Sequence, residues 1–136
     1  MKTHHFAWLI LLVLLAGGCG KKEPATSAGT NGIAELKAKA EGGDSIAQYT
    51  LAEDYISGNG VAKNEAEAVK WWRKAADQGN VQAQYSLGCC YINGQGVTKD
   101  DAEAVKWFRK AADQNNVGGQ YSLGAAYANG QGLAKD

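Results

Sequence analysis

Histidine is nearly missing from this chain. His4 and His5 are the two present, both in an amino-terminal segment that reads as a removable leader. The rest of the chain has none, which excludes serine–histidine and cysteine–histidine nucleophile pairs and zinc sites that need imidazole. Cysteine is scarce too. Beyond Cys19 there are only the adjacent Cys89 and Cys90, too few for an all-thiolate zinc site. No charge of one sign dominates, because 14 basic residues balance 14 acidic ones, and a nucleic-acid surface shows a marked basic excess. Long apolar runs are absent as well. The single uninterrupted run, Phe6 to Ala16, is about half of the ~20 residues that span a bilayer. The chain is therefore expected to hold no catalytic residue, metal, cofactor or small-molecule substrate, and to bind no nucleic acid.

What is present begins with Lys2, just ahead of that run. A basic residue, a short apolar core and then small residues (Ala16, Gly17, Gly18) form a secretory signal. The stretch Leu15-Ala16-Gly17-Gly18-Cys19 resembles the lipobox of bacterial lipoproteins. The usual Leu three places before the Cys is here Ala16, with Leu15 one place earlier. The resemblance implies that residues 1–18 are cleaved and that Cys19 carries a diacylglycerol on sulfur and an acylated amine. One acyl chain holds only marginally, at about 0.8 kcal/mol per buried CH₂, so stable anchoring wants two or more. An ordinary secretory signal cut near Gly18 is the other reading. Gly20 stands where an Asp would, in that family, signal inner-membrane retention. Outer-membrane sorting is thus the default, with the domain in the periplasm or at the cell surface. The only membrane contact expected is this anchor. Residues 19–31 are small and polar and include Pro24, so they read as a flexible tether that cannot bury enough surface to fold.

Residues 32–136 repeat with a period of 36. Ala47-Gln48-Tyr49-Thr50-Leu51 returns as Ala83-Gln84-Tyr85-Ser86-Leu87 and as Gly119-Gln120-Tyr121-Ser122-Leu123. Gly58-Asn59-Gly60-Val61 returns as Gly94-Gln95-Gly96-Val97 and Gly130-Gln131-Gly132-Leu133. Glu67-Ala68-Val69-Lys70-Trp71 returns unchanged as Glu103-Ala104-Val105-Lys106-Trp107. The divisions are a half-unit at 32–43, units at 44–79 and 80–115, and a partial unit at 116–136.

Each unit reads as two helices. Helix A is predicted over Ser45–Ser57, Val81–Asn93 and Val117–Asn129, and its apolar stripe Ala83, Leu87, Tyr91 has helical spacing. Helix B is predicted over Glu65–Gln78 and Asp101–Gln114, with Ala68, Trp71 or Trp72, and Ala75 inward. Ile33, Leu36 and Ala40 fall in register with Val69, Trp72 and Ala76, so the half-unit is a further helix B. The order is B, A, B, A, B, A. Such units cannot bury their apolar faces alone and must stack. Trp71, Trp72, Trp107 and Phe108 are expected in the core. Gly58 and Gly94 suit left-handed helix ends, as do Gly79 and Asn115. Asn64 and Asp100, with Glu67 and Glu103 three residues on, fit a capping-box pattern. The Gly-x-Gly turns lack the third glycine, preceding strand and Lys-Ser/Thr pair of a phosphate loop.

Unit two carries Ala83, Leu87-Gly88, Tyr91, Gly94-Gln95-Gly96-Val97, Asp100, Ala104, Trp107 and Ala111-Ala112. This resembles the Sel-one-like repeat, a relative of the tetratricopeptide repeat, over residues 33–136. The resemblance implies an all-α fold, a short right-handed α-solenoid of antiparallel helix pairs, and an adaptor or scaffold for an unidentified protein or peptide. One cysteine-rich branch of that family is linked to penicillin and peptidoglycan chemistry. Its paired cysteines would fall where Ala76 and Gln84 stand, so the branch signature is missing. A cell-wall or β-lactam hydrolase is the alternative reading, and a piece of a longer array is another. Ala52 stands where Gly88 and Gly124 do. Gly118-Gly119 sit inside the last helix A, where each Gly costs about 1 kcal/mol against Ala. The third unit is thus expected to be the weakest, with Leu123 and Tyr127 partly uncovered.

In tetratricopeptide-like solenoids helix A lines the concave face. Tyr49, Tyr85 and Tyr121 sit off the Leu stripe, and Ile56 and Ile92 share their side with Glu53 and Cys89 between. Tyrosine is a common interface anchor, so these seven residues are the candidate protein-binding face. Packing of the tyrosines between neighbouring A helices is an equal reading. Cys90 lies toward the buried side and Cys89 nearly opposite. The pair reads as one packing residue and one surface thiol, or as a thiol poised for an intermolecular disulfide through Cys89 in an oxidising compartment.

Overall fold

The computed structural model describes residues 28–132, and all of the regular structure there is helical. The helices are α1 (Ala28–Glu41), α2 (Ser45–Ser57), α3 (Glu65–Asp77), α4 (Val81–Asn93), α5 (Asp101–Asp113) and α6 (Val117–Ala128). The order is the expected B, A, B, A, B, A. Leader residues 1–18, Cys19 with its proposed lipid, tether residues up to 27, and residues 133–136 lie outside the described residues. Helix α1 begins at Ala28, so the last four residues read as tether are helical. Once Leu36 and Ala40 anchor the helix against its neighbour, adding residues at its start needs no new nucleus.

The helix ends follow their local chemistry. Asp44 Oδ1 accepts from the backbone N–H groups of Ile46 and Ala47 at 2.9 and 3.1 Å. Asn64 Oδ1 accepts from Glu67 N at 3.1 Å, and Asp100 Oδ1 from Glu103 N at 3.0 Å. The other half of the capping box is not formed. The Asn64 and Asp100 N–H groups donate instead to the Tyr55 and Tyr91 carbonyls of the preceding helices, at 2.9 and 3.0 Å. Glu67 and Glu103 therefore turn outward to Lys70 and Lys106. Helices α3 and α5 stop at Asp77 and Asp113, one residue short of expectation, with Gln78 and Gln114 as caps. Asn115 is left-handed at φ 62°, in the role Gly79 plays one unit earlier.

The A helices α2 and α4 each sit between two B helices, and the Leu of each is its deepest residue: Leu51 and Leu87 are fully buried. Around them lie Ala68, Ala75, Ala83, Ala104 and Ala111, small enough for close helix approach, with Trp72, Trp107 and Phe108 filling the space between. Trp71 departs from expectation and is only half-buried. Trp107 closes onto a cluster that includes Ala52 and Ala68 of the preceding repeat, whereas among the described residues α1 alone precedes the repeat of Trp71. The Lys74 ammonium lies 4.0 Å from the Trp71 ring centre, a cation–π contact at its open side.

Two devices set the stacking. Buried Gln48 donates to the Ala40 carbonyl at 3.0 Å and accepts from Gln78 Nε2 at 2.7 Å. Gln84 repeats this, donating to Ala76 at 3.2 Å and accepting from Gln114 Nε2 at 2.9 Å. Each buried amide is thus paired, as a buried polar group must be. The second device is the Gly-x-Gly loop. Gly96 has φ +66°, and a Cβ there would lie 2.4 Å from the Glu65 carbonyl oxygen, so the loop backbone rests directly on the first turn of α3.

Candidate functional site

The A helices α4 and α6 lie side by side with α5 beneath them, and a cleft of about 180 Å³ opens between them. Cys89 and Ile92 form one wall. Tyr121, Ser122 and Ala125 form the other, and Phe108 and Ala126 line the bottom with Gln131 at one end. The lining is mostly apolar. Of the seven candidate residues the cleft brings together Cys89, Ile92 and Tyr121. Tyr49, Glu53 and Ile56 are one repeat away on α2. Ala125 was missed although it is the third-unit equivalent of Glu53 and Cys89; carrying the register one unit further would have found it. Phe108 was read as core, and its ring also reaches the cleft.

The three tyrosines differ in setting. The Tyr85 ring packs over Gly118, where a Cβ would come within 3.0 Å of it, and its centre is 6.0 Å from that of Phe108. Its hydroxyl lies beside Cys89 and beside Ser122 of α6. Tyr49 is half-buried, with its hydroxyl beside Glu53 and beside Ser86 of α4. Both therefore pack between adjacent A helices. Tyr121 has no further A helix among the described residues and is 79% exposed. The Tyr49 phenol is pushed above its ordinary range by burial, with the Glu53 charge adding to it. The Tyr85 phenol is pushed up mainly by its hydrogen bond to Cys89 and the charge that thiol would carry.

Cys90 is buried between α4 and its neighbours, and burial pushes its thiol up to about 12, with Cys89, Glu65 and Glu53 adding in that order. Cys89 is half-buried in the cleft wall rather than outward on the surface. Burial raises its pKa too, partly offset by Tyr85. Both thiols are free and stay protonated at neutral pH, the unreactive form. The side of α4 opposite Leu87 faces α6 rather than water, which places Cys89 in the cleft wall.

A second hollow, of about 490 Å³, lies on α3 over Val69 and Val97 with Lys70, Arg73 and Lys74 at its rim. These cations already have partners. Lys70 pairs with Glu67, Arg73 donates to the Tyr91 hydroxyl, and Lys74 covers Trp71. Sequence reading did not single this hollow out. Among the described residues no three potential metal ligands cluster, and no helix is long and apolar enough to cross a membrane.

The crystal structure of a protective antigen present in uropathogenic Escherichia coli strains, displaying an SLR fold, superposes with a TM-score of 0.74 at 45% identity. The match covers 79% of this chain and 23% of that one. A Sel1 repeat protein from Oxalobacter formigenes gives a TM-score of 0.69 at 40% identity, covering 76% and 78% of the two chains. A putative sel1-like repeat-containing protein of Acanthamoeba polyphaga mimivirus is 46% identical over 43 residues, which is 32% of this chain and 7% of the viral protein. The chain thus spans only a small part of two of these relatives. Residues 45–80, 81–116 and 117–136 each match the family model described as Sel1 repeat. Those units coincide with the 36-residue period to within one residue and take in well over half of the sequence, so the chain belongs to the Sel1 repeat family.

Proposed function

We propose that this protein is an envelope lipoprotein, anchored through Cys19, that holds a protein or peptide partner on the A-helix side of its solenoid and catalyses no reaction. Sel1 repeats generally build protein-interaction scaffolds. The observation that carries the reading for this chain is the cleft between α4 and α6. It is apolar, walled by Cys89 and Ile92, and bordered by Tyr121, a tyrosine 79% exposed. An aromatic anchor beside an apolar hollow is the usual composition of an interface centre. An apolar side chain of the partner seats against Phe108, with the Tyr121 hydroxyl at the rim. The Leu15–Cys19 stretch supports the anchor.

Cross-linking of the intact lipoprotein in its own envelope tests this, with captured proteins identified by mass spectrometry. Wild type captures a specific partner, and Tyr121→Ser with Ile92→Ser, confirmed to fold by circular dichroism, loses it. Equal capture by the variant rejects the cleft. Membrane partitioning of Cys19→Ser tests the anchor separately, since a variant that still partitions with membranes rejects it.

A further inference from the structure

The loop after each A helix repeats as Gly-x-Gly, and its first copy alone has asparagine in the middle. Gly58-Asn59-Gly60 stands where the later copies hold Gly94-Gln95-Gly96 and Gly130-Gln131-Gly132. An asparagine followed by glycine carries a reaction of its own. The glycine backbone nitrogen attacks the side-chain carbonyl carbon, and its proton leaves with the amide nitrogen as ammonia. A five-membered succinimide remains. Water opens that ring at either carbonyl, giving aspartate or isoaspartate. Glycine is the most permissive successor because no Cβ hinders the attacking nitrogen. Glutamine would have to close a six-membered ring, which is slower.

The chain has Asn-Gly pairs at Asn31, Asn59, Asn93 and Asn129, and the structure separates them. Asn31 lies inside α1 and Asn93 is the last residue of α4. A helical backbone holds the following nitrogen away from the amide carbon. The Gly94 N–H also donates to the Cys90 carbonyl, and the Gly130 N–H to the Tyr127 carbonyl at 3.1 Å. Asn59 is exposed and lies outside the helices. Among the described residues the Gly60 N–H meets no acceptor.

The surroundings of Asn59 give its conversion a consequence. Asn59 Nδ2 donates at 2.8 Å to Oδ1 of Asp54, a residue only 9% exposed. The other repeats hold Cys90 and Ala126 at that position. Conversion to aspartate removes the donor and sets a second carboxylate against the first, and like charges held together in a half-buried place repel. Isoaspartate does more, because it adds a methylene to the main chain just before residue 60. A Cβ on Gly60 would already lie 2.4 Å from Ile33 Cγ1 of α1, so the loop has no room to spare at that contact. We propose that Asn59 is a site of spontaneous deamidation, and that its conversion loosens α1 from the rest of the solenoid.

The test begins with the full-length protein held in detergent in mildly alkaline buffer. Samples taken over time are digested and mapped by mass spectrometry, with electron-transfer fragmentation to separate aspartate from isoaspartate. Residue 59 is expected to convert about tenfold faster than residues 93 and 129, the factor for one hydrogen bond that those two must first break. Asn59→Gln, which installs the residue of the other repeats, blocks the conversion. Equal rates at the three positions, or an amide at residue 59 that persists throughout, overturns the site. Hydrogen–deuterium exchange reads the consequence. The Asn59→Asp protein is expected to exchange faster than wild type in α1 and equally in α5. Adding Asp54→Asn to Asn59→Asp swaps the acid and the amide, and restores slow exchange in α1. Unchanged exchange of α1 in Asn59→Asp, or no recovery in the swapped pair, overturns the loosening.

Discussion

At α1, positions that are apolar in α3 and α5 hold Glu35 and Lys39. At α6, positions buried in α2 and α4 still hold Gln120, Leu123 and Gly124. Among the described residues both helices have a neighbour on one side only, yet the face of α1 is charged and that of α6 keeps the chemistry of an interior. The exposed Glu35–Lys39 pair adds little stability, as exposed ion pairs do, but it keeps that surface wet. Polar outer faces are what solenoid ends need for solubility.

The largest test of that contrast is to truncate the same leucine in the middle and at the end. Leu87→Ala is expected to cost about 2–5 kcal/mol, the range for a fully buried leucine, and Leu123→Ala about half of that or less because it is already half-open. Urea unfolding monitored by circular dichroism measures both, and equal losses would break the comparison. Next is a pair with opposite signs. Gly88→Ala drives a methyl into Phe108 and should cost about 1–3 kcal/mol. Gly124→Ala meets nothing and should gain up to about 1 kcal/mol from helix propensity. Thermal melts that shift in the same direction would show that Gly124 is covered in solution.

The central repeat also carries a buried thiol where its neighbouring repeats hold Asp54 and Ala126. The folded Cys90 thiol sits at about 12, above its ordinary 9. Its contribution is fully present below pH 9 and is lost as pH rises toward 12, because the unfolded chain ionises first. Wild type should thus lose stability between pH 9 and 11 faster than Cys90→Ala, with parallel curves below pH 8.5; parallel curves throughout would refute the burial of this thiol. The smallest effect belongs to α1. Glu35→Ala with Lys39→Ala should change stability by about 0.5 kcal/mol or less. Glu35→Trp with Lys39→Ala restores the interior pattern, and should make the chain self-associate with rising concentration in sedimentation runs. A variant that remains monomeric would mean that the charges are not what keeps this face of α1 from pairing.

Most helix boundaries were readable because their signals are local. Asn64 and Asp100 cap through their own side chains as read, Asp44 does so too without having been singled out, and Asn115 takes the left-handed conformation that its place after helix B requires. The capping box was misread in one respect. Whether the Asn64 N–H meets Glu67 or the Tyr55 carbonyl depends on how closely α2 approaches α3, and no local pattern encodes that. Trp71 and Trp107 are the same residue in the same pentapeptide, and among the described residues the repeat that packs before Trp107 buries it while Trp71 is half-buried. Cys89 was read as outward from a single helix's wheel, which cannot know that α6 stands on that side.

The sequence by itself determined the period, the all-helical units, their caps and the register that makes the units stack, because each depends on chemistry within a few residues of one chain position. Only the tertiary structure decided which member of each equivalent set is covered. Tyr49 and Tyr85 are held between A helices while Tyr121 stands 79% exposed. The physical reason is that burial belongs to a residue's neighbours in space. Identical residues one period apart therefore stand in different environments among the described residues wherever their neighbours differ.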